Sequence, residues 1–314
     1  YAGTYDSFVR KYDPEYQINF TKEEAAMLEF VSSLLANGKR PHELLIPQMI
    51  LENDEINELE FQKKMERMQE TYRACDYISA LSVLKKEFIN TQTEQKKYMD
   101  FEFLDSNSIS DRSAVRAEKF YRELQHADFK KELRSLLTYG LKKYADTYRK
   151  HDEDNLVLYE KYSRKDVCRL LNWEQNEVPL NIGGYKFDKK TKTFPVFINY
   201  DKAEDISDTT KYEDHFVPGF RDRLIAISKS GRSLQSEDVQ NFLKAKERGI
   251  QVELFVRKNK DDKISKEFYY LGHMTASGNA KEFTMANTEK TAVEIEWILD
   301  VPVREDIYEY IVNA

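Results

Sequence analysis

The stretch TAVEIEWIL, Thr291 to Leu299, alternates Val293, Ile295 and Trp297 with Glu294 and Glu296. A period of two sends successive side chains to opposite faces of an extended chain, so one face is apolar and the other polar. That pattern is a half-buried antiparallel strand. Working upstream, IQVELFVRK (250–258) sets Val252, Leu254 and Val256 against Glu253 and Phe255 in the same way. YKFD (185–188), TFPVFINY (193–200), LIAIS (224–228) and EFYYLGHMTA (267–276) are further β-rich runs between turn residues. One helix, SEDVQNFLKAKERG (236–249), lies among them, with Ser236 as N-cap and Gly249 as the C′ residue. Five or six strands with two or three helices predict an α+β unit built on a curved sheet or partly closed barrel.

Before that region the period is helical. In NFTKEEAAMLEFVSSLLANGK (19–39), Thr21 and Glu24 have capping-box spacing, and Ala25, Leu28, Phe30, Val31, Leu34 and Leu35 make one apolar face. Asn37-Gly38 ends this helix, and Pro41 stands where the next begins. EINELEFQKKMERMQETYRAC (55–75), YISALSVLKKEFI (77–89) and the long run 116–148 repeat the theme, with Gly140 placed to kink or split the last. The expectation is an all-α bundle over 1–160, a polar interlude HDEDN (151–155) near its end, and the α+β domain over 161–314.

Composition narrows the function. The 314 residues are 40% hydrophobic and 33% charged, as in a folded chain with a solvated surface. No apolar run nears the roughly 18 residues of a membrane span. The start YAGTYDSF lacks Met and a signal-peptide pattern, which points to a fragment of a longer protein. Two isolated cysteines, Cys75 and Cys168, fit a reducing cytoplasm, and the five histidines show no metal-ligand spacing. The net charge is −7, with 24 Lys/Arg against 30 Asp/Glu up to Glu160 and 25 against 26 beyond it. A local basic face therefore has room only in the second half.

Neither a GxxxxGK[ST] loop nor a GxSxG elbow is present, which argues against P-loop and α/β-hydrolase chemistry. The VELFVRK strand is a loose echo of an ExK nuclease core, with its lysine too late.

Three segments remain that combine into one chemistry. The loop ISKSGRS (227–233) offers hydroxyls from Ser228, Ser230 and Ser233, a point charge from Lys229 and a guanidinium fork from Arg232. Gly231 allows backbone N–H groups to turn toward an anion, so these residues are candidates for phosphate contact. PVFINYDKAEDISDTTKYEDHF (195–216) mixes Tyr200, Tyr212 and Phe216 with Asp208, Thr210 and Asp214. An unstacked cytosine needs aromatic faces and a carboxylate to accept from its N4 amine, and this mix supplies both. Trp173, ending LLNW, adds a further aromatic.

These segments also carry a resemblance. NFTKEEAAMLEFVSSLLANGKRPHELLIPQMIL (19–51), with NGKRPHE (37–43) its most distinctive part, resembles the helical segment that follows helicase cores in SauUSI-type, Type IV restriction endonucleases. YSRKDVCRLLNWEQN (162–176), YDKAEDISDTTKYEDHF (200–216), ISKSGRSLQSEDV (227–239) and EFYYLGHMT (267–275) resemble the same family's terminal domain, in the same order. The resemblance implies a helical coupler followed by an SRA/PUA-like domain that flips and reads 5-methylcytosine, or 5-hydroxymethylcytosine, in double-stranded DNA. It implies no catalytic residue, metal or cofactor within this chain. ATP and Mg would serve the helicase and phospholipase-D-type nuclease domains of a parent protein in the bacterial cytoplasm, away from any membrane. Two other readings stay open: a protein-interaction module without base readout, and a metal-dependent nuclease assembled from scattered carboxylates.

Overall fold

The computed structural model describes residues 5–16, 19–110, 112–152, 154–174, 182–201, 214–259, 266–286 and 288–312. The chain divides into two compact units, Tyr1–Asn155 with Cys168–Val178, and Leu156–Val167 with Pro179–Ala314. The chain first passes between them at Asn155/Leu156, beside the polar interlude, and crosses again on either side of Cys168–Val178. The architecture is α+β, a helical N-terminal region followed by a curled mixed sheet that forms a half-barrel. No helix among the described residues is long and apolar enough to cross a membrane.

The first unit contains α1 (Tyr5–Tyr12), α2 (Lys22–Phe30), α3 (His42–Ile50), α4 (Glu58–Arg67), α5 (Ala74–Leu84), α6 (Gln92–Tyr98), α7 (Glu118–Glu123) and α8 (Ala127–Lys143). The Thr21–Glu24 capping box forms in both directions at the start of α2. A π-helical turn, Val31–Leu35, carries the chain to Gly38, whose φ of +70° suits glycine. A short antiparallel ribbon, β1 (Glu55–Asn57) with β2 (Ser113–Val115), adds strand to a unit expected to be all-α. Gly140 does not split α8. A Cβ there would stand 2.8 Å from Leu44 Cδ2, so the glycine serves a close helix approach. Phe30, Tyr98, Phe101, Phe103, Phe120 and Phe129 form a chain of ring contacts through the core, mostly edge-to-face.

The NGKRPHE stretch is buried. Arg40 Nε donates to Glu43 Oε2 at 2.7 Å, and its Nη1 donates to Arg169 O and Asn172 Oδ1. Arg169 pairs with the other oxygen of Glu43, and both Arg40 and Glu43 side chains are fully buried. Such a cluster persists only when its hydrogen bonds are satisfied throughout.

In the second unit, β3 (Lys161–Tyr162) leads into α9 (Arg164–Leu170), whose residues from Cys168 onward count with the first unit, and Ser163 and Asp166 bond reciprocally across its start. The sheet continues with β4 (Thr193–Asp201), β5 (His215–Phe216) and β6 (Arg223–Ile227). Two short helices follow, α10 (Glu237–Leu243) and α11 (Ala245–Arg248), then β7 (Gln251–Asn259), β8 (Phe268–Thr284), β9 (Thr291–Leu299) and α12 (Glu305–Val312). The expected single helix over 236–249 is broken at Lys244, φ −111°, and Gly249 caps the second piece in the left-handed conformation. Ser236 stands at the N-cap of α10, but its Oγ accepts from Ser233 N instead of an α10 amide.

Strand order is β4-β7-β8-β9-β6-β5, with β3 on β8; β4 and β7 run parallel and all other pairs are antiparallel. The curl has an identifiable cause. β8 pairs with β7 through Tyr269–His273 and with β9 from Met274 onward. Its ladder shifts register near Gly272 and again between Ala276 and Ala280, across Gly278. Both glycines hold φ near +97°, at +96° and +97°, so the strand bends where only glycine bends without strain.

The β9 expectation matches the structure. Val293, Ile295 and Trp297 are buried in the main core, while Glu294 and Glu296 are half-buried. For β7 the half-buried antiparallel reading needs correcting. It lies between parallel β4 and antiparallel β8, and Glu253 and Phe255 are as fully buried as Leu254 and Val256. Strands with cover on both faces lose the polar side that alternation implies.

Candidate nucleic-acid interface

Tyr200 is the penultimate residue of β4, and Phe216 lies in β5. The Phe216 N–H donates to the Tyr200 hydroxyl at 3.3 Å, and the two rings stand 5.9 Å apart at 33°. Phe216 is buried and also packs edge-on against Tyr308. Burial raises the Tyr200 phenol above its ordinary pKa, so it stays neutral. Asp208, Thr210 and Tyr212 lie outside the described residues. Asp214, just beyond them, accepts the Ile227 N–H through Oδ1 at 2.8 Å. Tyr200, Phe216 and Asp214 thus meet beside Ile227, the last residue of β6. Asp201 and Asn259 are ladder partners at the end of the parallel β4–β7 pair.

The Ser228–Ser233 loop follows immediately from Ile227, and its amides do not form an anion cradle. Ser228 N–H donates to Val293 O, and Val293 N–H donates back to Ser228 Oγ, both at 2.8 Å, which extends the β6–β9 ladder. The Lys229 N–H goes to the Tyr185 hydroxyl, and the Ser233 N–H to Ser236 Oγ. The amides of Gly231 and Arg232 both reach Thr291 O, at 2.8 and 3.2 Å. Gly231 is needed for its φ of +79°, which turns these amides inward onto a carbonyl rather than outward onto an anion.

The side chains divide. Lys229 Nζ donates to Tyr185 O at 2.7 Å and Ile182 O at 3.1 Å, and sits 4.6 Å over the Tyr185 ring. Burial and the nearby Arg232 guanidinium hold its pKa below the usual lysine value. Lys229 thus ties the loop to the 182–185 segment. Ser228 is buried, Ser230 is exposed, and Ser233 is half-buried against Ser236. Arg232 is 39% exposed and donates through Nε to Asp238 at 2.6 Å, which raises its pKa. It lines an open hollow of about 400 Å³ with Phe187, Lys189, Ser236, Asp238 and Asn241. Trp173 is buried and belongs to the first unit.

Two constellations escaped the sequence reading. On the second face of β4 and β7, Arg164 stands 5.0 Å from the Phe197 ring and 4.9 Å from Phe268. Arg257 lies 4.5 Å over the same Phe268 and donates to Asn199 Oδ1. The signal was present as the alternate residues Glu253, Phe255 and Arg257, which only a doubly covered strand brings inside. In the first unit, His42 lines a cavity of about 500 Å³ with Glu70, Arg73, Tyr144, His151 and Asn155. Among the described residues neither of its ring nitrogens has a hydrogen-bond partner. Burial, with the neighbouring Arg40 guanidinium, lowers the His42 pKa to about 3.

Residues 156–311 match a family described as "Domain of unknown function (DUF3427)", and residues 1–149 match one described as "Domain of unknown function (DUF8090)". No curated protein matches. Among solved structures, the chain is similar to the SUVH5 SRA domain in complex with hemimethylated CG DNA, at 12% identity and TM-score 0.32, over 48% of this chain and 92% of that one. It is also similar to KRYPTONITE in complex with mCHG DNA and SAH, at 11% identity and TM-score 0.30, over 48% of this chain and 33% of that one. These likenesses are distant.

Proposed function

We propose that the DUF3427 domain reads modified cytosine in double-stranded DNA, and that the DUF8090 domain couples that recognition to other domains of a longer protein. The observation that carries the reading is the Asp214–Ile227 hydrogen bond. It places Asp214 against Ile227, at the open end of the β5–β6 hairpin and one residue before the cationic loop at 228–233. The sequence resemblance to Type IV restriction endonucleases supplies the ligand class.

In this reading a cytosine leaves the duplex and stacks against aromatic rings at the end of β4, with Tyr200 and Tyr212 as its faces. Asp208 or Asp214 accepts from the exocyclic N4 amine, and Thr210 and Phe216 complete the recess that takes the 5-methyl group. One methyl-sized group in an apolar recess is worth about 1–3 kcal/mol, so preference per site is modest. The chain performs recognition and coupling, and it does no chemistry of its own. Strand translocation with ATP and Mg, and cleavage, belong to the helicase and nuclease domains of a bacterial cytoplasmic restriction enzyme acting in phage defence.

The test is a gel-shift titration of one duplex, unmodified and fully methylated, at two salt concentrations. Tighter binding of the methylated duplex at both, lost in Asp208→Ala together with Tyr212→Ala, is the expected result. Equal affinity for the two duplexes in the native chain overturns the reading.

A further inference from the structure

The amides of Ser228, Lys229, Gly231, Arg232 and Ser233 bond inward and Lys229 Nζ is held by two carbonyls, so a firm grip on a DNA backbone calls for cations beyond this loop. They are concentrated at one place. KFDKKTK (186–192) and KAKER (244–248) hold seven of the 25 Lys and Arg after Glu160, but only two of the 26 Asp and Glu. The fold sets the two stretches side by side. Asp188 bridges to Thr193 across a tight turn, and the Gln251 N–H just past α11 donates to Lys192 O at 2.9 Å. Lys189, Lys190, Lys192, Lys244, Lys246 and Arg248 are all exposed.

The neighbouring acids do little to cancel this charge. The Asp188 carboxylate turns back onto the Thr191 N–H and hydroxyl, at 2.8 and 2.7 Å. Glu237 meets Lys189 at 3.3 Å, on a side chain that is otherwise 78% exposed. Arg248 folds onto Asn241, which shares the hollow lined by Lys189 and Arg232, so the turn, α11 and the Arg232 guanidinium border one surface. In a domain that carries 25 Lys and Arg against 26 Asp and Glu in all, this ridge is a local positive field within one Debye length.

We infer that the ridge formed by the 189–192 turn and α11 is the phosphate-contacting face of the domain, and that its ligand is the backbone of duplex DNA. The inference rests on the reading of the domain as a DNA binder, not on which residues hold the base. Phosphate contacts fix position and carry no sequence information, so the ridge acts equally on methylated and plain DNA.

The experiment compares the full chain with the triple variant Lys190→Glu, Lys192→Glu, Lys246→Glu, and with the milder Lys→Gln version, after checking that each melts like the parent. Each phosphate contact removed lowers the slope of log affinity against log salt by about 0.9, so the triple variant should lose about 2–3 from that slope. Its affinity at low salt should fall at least about tenfold on both duplexes, with the methylated-to-plain ratio unchanged. An unchanged slope overturns the inference while leaving base reading intact. A loss confined to methylated DNA also overturns it, because the ridge would then be reading the base. A native chain that binds both duplexes alike, but loses both in the variant, keeps the ridge and removes the modified-base reading. A native chain with no DNA affinity at low salt removes both.

Discussion

Asp214 Oδ1 holds the amide of Ile227 at 2.8 Å, one residue before the cationic loop begins. A carboxylate accepting a backbone N–H at a strand end keeps that end from fraying.

Removing that acceptor should therefore be felt as stability. Asp214→Ala is expected to cost about 1–3 kcal/mol by losing a charge-assisted hydrogen bond. Asp214→Asn, which keeps an oxygen in place, should recover most of it. Urea midpoints of the three proteins decide the matter, and equal midpoints would show that the bond contributes nothing.

The buried imidazole of His42 predicts an acid-sensitive stability. Its folded pKa of about 3 lies below the ordinary 6.5. Between those values the unfolded chain binds a proton that the folded chain excludes, so stability is lost as pH falls from 6.5 toward 3. The slope is up to about 1.4 kcal/mol per pH unit. Subtracting the His42→Gln curve from the parent curve between pH 7 and pH 5 should isolate a difference of about 2 kcal/mol. Parallel curves would refute the assignment.

Lys86 repeats the same sign in a more alkaline window. It is 5% exposed with its ammonium 4.3 Å over the Phe101 ring, and burial lowers its pKa to about 8 from 10.5. The folded state holds this proton less tightly than the unfolded state, so stability rises with pH between about 8 and 10.5. Lys86→Met should be more stable than the parent at pH 7 by about 1–3 kcal/mol, an advantage that shrinks through that window. Thermal melts at pH 7 and pH 10 provide the check.

Arg40 anchors the NGKRPHE stretch inside the helical unit. Arg40→Met leaves the fully buried Glu43 carboxylate with Arg169 as its remaining charged contact, and should cost about 3–5 kcal/mol. Denaturation of the variant tests this, and a loss below 1 kcal/mol would mean the cluster relaxes around the gap.

Asp238 neutralises Arg232 at the edge of the basic ridge. Asp238→Asn should release the guanidinium and raise affinity a few-fold on methylated and unmodified duplexes alike, more at low salt than at high. No change in either would place Arg232 outside the contact surface.

Much of the fold can be read from periodicity because each such element has one covered face. TAVEIEWIL alternates as β9 is buried, and the Thr21–Glu24 spacing becomes the cap of α2. Misreadings occur where tertiary cover changes the rule. VELFV looked half-polar, yet Glu253 is enclosed because β7 is covered on both faces. Gly140 looked like a break, yet α8 continues because Leu44 packs where a side chain would stand. At the candidate site, residue chemistry singled out Ser228, Lys229, Ser230, Arg232 and Ser233 as a loop rich in donors. Which way those donors point depends on Thr291, Val293 and Tyr185, residues distant in sequence that no local pattern could name. The Lys189–Lys192 turn and α11 are each basic in sequence, but they lie far apart along the chain and only the fold sets them side by side.

β8 takes part in two ladders, passing from β7 to β9 through Gly272 and Gly278 without a break in its backbone. The two flanks of the half-barrel thus share a single chain segment, which couples the opening of one flank to that of the other. Hydrogen exchange along this strand should therefore show one common opening energy from Tyr269 to Phe283, the signature of a single cooperative foldon.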